Sequence, residues 1–211
     1  MNSLIAVVMC GGKGSRMNDS STIEKPLQKI RGKTMIERVV NALVDCKMFD
    51  KVMIVPSPNT PMTSKYVHKI YESLDKIEVA ESIGVDYSLD LMRLVTSLNP
   101  SKLLFLGADL PLINAKIIKT IIENCAGKAP CISVILQKKF VESIGIKPST
   151  IIHRDKIDYC HSGITIIDTL GVKDENGMFA ESYILMDQKE IAVNVNTTED
   201  LELAKTLCYW D

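Results

Sequence analysis

Short runs of consecutive apolar residues alternate along this chain with longer stretches in which apolar positions recur every three or four residues. LIAVVMC (4–10), VMIVP (52–56), a short run near Ile77 to Ala80, LLFLG (103–107), CISVIL (131–136), GITIID (163–168) and AVNVN (192–196) read as strands. Between them TMIERVVNALVDC (34–46), the segments around Lys65 to Leu74, Tyr87 to Leu98 and Ala115 to Cys125, and a last stretch after Asn196 carry the helical period. Strand and helix in alternation predict an α/β fold with a mostly parallel central sheet. Parallel strands need crossovers, and the crossovers cover the sheet with helices on both faces. Residues 1–211 read as a single domain without internal repeat or linker, and segment 137–162 is the least regular. In such a sheet ligands lie beyond the carboxyl ends of the strands, so the loops that follow strands carry the chemistry.

Composition narrows the classes. The 211 residues are 46% apolar and 5% aromatic, and 25 Lys+Arg against 26 Asp+Glu leave a net charge of -1. No whole-molecule field gathers a nucleic-acid backbone, so a nucleic-acid partner is not expected and any bound anion meets a few local cations. The six cysteines have irregular spacing and no CxxC pair, as expected of reduced thiols in the cytoplasm. The apolar run at 4–10 lacks a basic leader and is far too short to cross a bilayer, so no membrane segment is expected.

The strongest chemical signal is CGGKGSRM (10–17), directly after the first strand and followed by a polar loop that reaches Glu24-Lys25-Pro26-Leu27. Gly11, Gly12 and Gly14 let backbone N–H groups approach a phosphate, and Lys13, Arg16 and Lys25 supply charge to neutralise it. The spacing is neither a Walker loop nor the dinucleotide fingerprint, since no GK[ST] follows and Met17 takes the third Gly position. A plain strand-to-helix turn is the competing reading. In GADLP (107–111), Asp109 ends an apolar strand at the same side of the sheet, where one carboxylate suits a partly hydrated Mg²⁺ that also ligates a triphosphate. An N-cap or turn role for Asp109 is its alternative. Asn194 or Asn196 offers a second oxygen ligand, although Asn196-Thr197 also reads as a helix start. Asn59, in SPNTP (57–61), is placed for a ribose hydroxyl or the base, or for a rigid turn. Glu81, Ser82, Gly84 and Asp86 are candidates for reading the base. His68, His153 and His161 form no metal spacing.

On these motifs the chain resembles the nucleotidyltransferases with an amino-terminal GGxGxRM signature and a following KP pair, a superfamily that includes sugar-1-phosphate nucleotidyltransferases and molybdenum-cofactor guanylyltransferases. Within it the chain is similar to the archaeal GTP:adenosylcobinamide-phosphate guanylyltransferases. The stretches that carry this are GGKGSRM (11–17), EKPLQKI (24–30), SPNTPMTSKYV (57–67), SIGVDYSLDL (82–91), GADLPLINAKII (107–118), SGITIID (162–168) and VNVNTTEDLELA (193–204). The resemblance implies a Rossmann-like nucleotidyltransferase fold that transfers GMP from GTP to a corrinoid phosphate, with Mg²⁺ as cofactor. It also implies triphosphate contacts from Gly11, Gly12, Gly14, Arg16 and Lys25, a metal at Asp109, and a turn at Gly163 near nucleotide or acceptor. Cys10 in place of the commoner alanine and Asp86 in place of an expected glycine depart from the pattern. Molybdenum-cofactor or sugar-1-phosphate nucleotidyl transfer and a non-catalytic nucleotide-binding protein are the alternatives, and a homodimer is left open.

Overall fold

A computed structural model describes residues 3–11, 23–98, 100–127, 129–171 and 181–208. Its frame is a sheet built on β1 (Ser3–Met9), β4 (Lys51–Val55), β5 (Ile77–Val79), β6 (Ser101–Gly107), β7 (Cys131–Gln137), β9 (Ile157–Asp168) and β10 (Glu181–Leu185). The spatial order is β5-β4-β1-β6-β9-β7-β10, with β8 (Ile151–Arg154) paired to β9, and β2 (Lys29–Ile30) and β3 (Lys33–Thr34) form a separate two-stranded piece. All central pairings are parallel except those of β9, which runs antiparallel between β6 and β7.

Consecutive apolar residues in β1 serve two opposite faces. Ala6 and Val8 join the larger cluster, with α1 (Met35–Cys46), α2 (Pro61–Tyr71), α4 (Ala115–Cys125) and α7 (Thr198–Leu207), whereas Ile5, Val7 and Met9 face α3 (Tyr87–Ser97). Helices therefore cover both faces, but unequally. Helix starts follow local chemistry. Thr34 and Glu37 form a reciprocal capping box on α1, Asn114 caps α4, and Thr197 and Asp200 cap α7 in the same reciprocal way.

Three sequence expectations need correction. AVNVN (192–196) is not a strand: α6 (Lys189–Ala192) ends inside it, and Val195 makes a single backbone bond, to the Asp109 carbonyl at 2.9 Å. Its alternation is real, since Val193 and Val195 are buried, but its partner is a loop rather than a strand, so no ladder forms. Segment 137–162 is ordered as α5 (Lys138–Ser143) and the β8–β9 hairpin, whose two-residue turn puts Asp155 and Lys156 at φ 49° and 63°. β9 consequently begins at Ile157, not at Gly163.

Phe105 is fully buried in the middle of β6. Phe105→Ala is expected to lower unfolding stability by about 3–5 kcal/mol in urea denaturation, the cost of the cavity it leaves.

Candidate functional site

The chain order makes a crevice. From β1 it crosses to β4 and β5 on one side, then returns to place β6 on the other side of β1, so the strand order reverses at the β1/β6 junction. Met9 lies level with Val55 and with Gly107, which brings the loops after β1, β4 and β6 out at one end of the sheet.

At that end Lys25 Nζ donates to Asp109 Oδ2 at 2.7 Å and to Asn196 Oδ1 at 3.2 Å. The Lys25 and Asp109 side chains are 15% and 21% exposed, so the pair is sheltered yet open to a ligand. Asn196 is oriented by its own amide nitrogen, which donates to Asn194 Oδ1 at 3.1 Å, and its backbone N–H goes to Asp200 Oδ2 at 2.9 Å. Thr197, not Asn196, caps α7, and Asn114, not Asp109, caps α4, so both site side chains are spared from capping.

Each group is held by structure the sequence reading did not weigh. Glu24 accepts from Met62 N at 2.8 Å and Thr63 N at 2.7 Å at the start of α2, whose N-cap Thr60 makes no side-chain cap bond. A carboxylate on these free N–H groups anchors the residue next to Lys25. Asp109 folds back over Gly107, where a Cβ would stand 2.3 Å from Asp109 Oδ1, so a side chain at 107 displaces the carboxylate. The following Leu110, Leu112 and Ile113 are buried, and Arg38 Nε donates to the Pro111 carbonyl at 2.8 Å. The acid thus projects from an anchored loop.

A second wall comes from the loops after β4 and β5. Asn59 Nδ2 donates to the Gly84 carbonyl at 2.9 Å and to Ser57 Oγ at 3.2 Å. Gly84 has φ +75°, and a Cβ there would lie 2.7 Å from Pro58 Cδ, so glycine is required twice over. Asp90, 5% exposed, accepts from Ile83 N at 2.6 Å and Gly84 N at 3.1 Å. Asp86 caps α3 through Ser88 N and Leu89 N, which accounts for an acid where the resemblance suggests glycine. Gly11 packs against Ser57, where a Cβ would come within 2.9 Å of Ser57 Cβ. The Glu81 carboxylate bonds Ser64 Oγ at 2.5 Å and His68 Nε2 at 3.2 Å, so its hydrogen bonds run to α2. Burial pushes the Cys10 thiol up, so it is not a thiolate nucleophile.

Gly163 lies in an irregular stretch of β9, at φ +82°, where the pairing with β7 shifts between Ser133 and Ile135. Its N–H donates to His161 Nδ1 at 2.9 Å, which fixes the imidazole proton on Nε2, 3.6 Å from Glu181 Oε1. Burial lowers the imidazole below its ordinary value against the opposing pull of Glu181, so His161 is neutral at pH 7. Gly12, Lys13, Gly14 and Arg16 lie outside the described residues.

The fold is that of a nucleotidyltransferase. A Bacillus anthracis structure assigned as a glucose-1-phosphate thymidylyltransferase superposes over 99% of this chain and 96% of that one, with a TM-score of 0.70 at 12% identity, a likeness of fold. The MobA-like NTP transferase domain matches residues 6–155, and the chain belongs to that family. An adenosylcobinamide-phosphate guanylyltransferase of Methanocaldococcus jannaschii is 30% identical over 203 residues, 96% of each chain. A probable molybdenum cofactor guanylyltransferase of Natranaerobius thermophilus is 25% identical over 97% of this chain and 96% of its own.

Glu24→Ala removes the acceptor that ties the Lys25 turn to α2. It is expected to cost about 1 kcal/mol of stability and to reduce turnover about tenfold by loosening Lys25. Glu24→Gln, which keeps one acceptor oxygen, recovers much of both. Denaturation and steady-state rates measured on the two variants check this, and full turnover in Glu24→Ala would exclude the anchoring role.

Proposed function

We propose that this nucleotidyltransferase transfers GMP from GTP to adenosylcobinamide phosphate, giving adenosylcobinamide-GDP and pyrophosphate. The observation that carries the reading is the convergence of Lys25, Asp109 and Asn196 at the ends of β1 and β6. The acceptor follows from the near full-length similarity to the Methanocaldococcus jannaschii guanylyltransferase.

The acceptor is a phosphate monoester, whose second pKa of about 6 makes it mostly dianionic at neutral pH, so no general base is required. One of its oxygens forms a bond to the α-phosphorus of GTP while the bond from that phosphorus to the bridging oxygen breaks. The electron pair leaves with pyrophosphate. The difficulty is repulsion between two anions, and the protein meets it by alignment and by fixed positive charge. Lys25 holds the α-phosphate and the departing oxygens, joined in our reading by Lys13, Arg16 and the backbone of Gly11, Gly12 and Gly14. Asn59, Glu81 and Gly84 form the nucleotide side of the site, and Gly163 is the turn near nucleotide or acceptor.

Asp109 and Asn196 fit Mg²⁺. They point two hard oxygens at one cation, the Lys25 ammonium, at 2.7 and 3.2 Å, and among the described residues no cluster of three acidic, His or Cys side chains forms a closed cage. Two protein oxygens leave room for triphosphate oxygens and water, as Mg²⁺ prefers. Bound there, Mg²⁺ supplies neutralisation of charge on the triphosphate. A cytoplasmic setting is supported by six free thiols, and no helix among the described residues is long and apolar enough to cross a membrane.

Asp109→Ala and Lys25→Ala are each expected to lower pyrophosphate release from GTP and adenosylcobinamide phosphate by about 100-fold or more while the protein stays folded. Assays of the wild type with molybdopterin and with sugar 1-phosphates in parallel fix the acceptor. Wild-type rates in a folded Asp109→Ala protein would remove the metal role, and faster transfer to another acceptor would replace the corrinoid.

A further inference from the structure

We infer that the groove bounded by Lys147, Ser149, Ser162, Asn194 and Asn196 seats the acceptor's phosphate monoester, with Lys147 as its cation. The inference rests on the transfer reaction proposed above. In that reaction Lys25 and the basic residues after β1 serve the triphosphate, so a dianionic acceptor needs a cation of its own across the reacting phosphorus. The groove adjoins the crevice directly, because Asn196 belongs to both: its Oδ1 receives Lys25, and its residue lines the groove.

The lining chemistry favours an anion. Its polar lining is a lysine, two amides, two serines, the neutral His161 imidazole and the Cys160 thiol, with no carboxylate. The pocket beside α3 instead carries Glu78, Glu81 and Asp90 next to Arg93, and the one near the start of β1 pairs Lys102 with Asp168. Lys147 is exposed and, among the described residues, makes no ion pair, whereas the nearby Lys138 is held by Asp158 at 3.3 Å and Glu142 at 3.9 Å.

Its position is also fixed. Gly145, at φ +86°, ends α5 with its N–H on the Glu142 carbonyl at 3.0 Å, and the next residue, Ile146, is buried in the core. Two residues after Pro148, the Thr150 carbonyl accepts from His161 N at 3.0 Å, tying the segment to β9. Lys147 thus stands on a short turn pinned at both ends, which limits the entropy lost when it holds a ligand.

The test compares binding of adenosylcobinamide phosphate and of unphosphorylated adenosylcobinamide by equilibrium dialysis, followed through the corrin chromophore, with a non-hydrolysable GTP analogue present. The wild type should prefer the phosphorylated form. Lys147→Met should lose about tenfold or more of that preference, as expected for one charge-assisted contact, Lys147→Arg should keep most of it, and affinity for the GTP analogue should stay unchanged. An undiminished preference in Lys147→Met, no preference in the wild type, or an equal loss of nucleotide affinity would each overturn the assignment. Pyrophosphate release by the wild type judges the transfer reaction separately, so the two can fail independently.

Discussion

An ammonium and a carboxylate 84 positions apart in sequence meet at 2.7 Å where two adjacent parallel strands end, and Asn196 closes on the same ammonium from a third part of the chain. The rest of the site depends on this convergence. Separating Lys25 from Asp109 in a sheltered crevice leaves two charges short of partners, which is costly unless the incoming ligand offers both signs. A triphosphate carrying a divalent cation does so: its oxygens replace Asp109 as partner of Lys25, and its cation replaces Lys25 as partner of Asp109. A free anion or a bare phosphate monoester satisfies half of the exchange. The ion pair is therefore a selective device as well as a structural one.

Holding the pair takes more residues than making it. Glu24 docks on the first N–H groups of α2, the bare Cα of Gly107 leaves room for the folded-back carboxylate, and the Asp109 carbonyl takes the Val195 N–H. That last bond links the loop after β6 to the segment that ends in Asn196, so the acid and the amide are positioned by one shared backbone contact. Buried leucines on the carboxyl side of Asp109 and the Arg38 bond to Pro111 anchor the same loop to α1. Polar function sits here on apolar ballast.

Much of the fold was legible because β1, β4, β6 and β7 are buried on both faces and so read as uninterrupted apolar runs. Asp109 was legible for a related reason, as a charged residue just past such a run that emerges at the ligand end of the sheet, whereas Lys25, well beyond β1, was legible through its place between Glu24 and Pro26 in a loop that doubles back. What failed to show was anything whose partner is distant in sequence. AVNVN alternates like a strand, but only the tertiary fold shows that its neighbour is a loop. β10 has half-exposed residues and pairs on one side with β7, leaving a weak pattern. Glu24 and Asp90 look like ordinary surface acids, and nothing local says that their oxygens receive pairs of backbone N–H groups. A short-range signal did exist for Asp86, which precedes the Tyr87 helix as an N-cap should.

The antiparallel strand explains how the crevice gains a far wall. A parallel neighbour of β6 would end level with it and contribute a loop. β9 instead runs the other way, pairing Phe105 with Thr165 and Lys102 with Asp168, so its first residues extend past the end of β6 at the crevice side. There they continue to pair with β7 and β8, as His161 does with Ile135 and Cys160 with Ile151. The result is a stiff, hydrogen-bonded wall opposite the loops of Asn59 and Gly84, with the shift around Gly163 bending it where it passes Asn194, 3.7 Å from where a Cβ at 163 would stand. A nucleotide held among the loops on one side and an acceptor set against a braced strand on the other would be aligned by the sheet itself, which is the property an in-line displacement between two anions most needs.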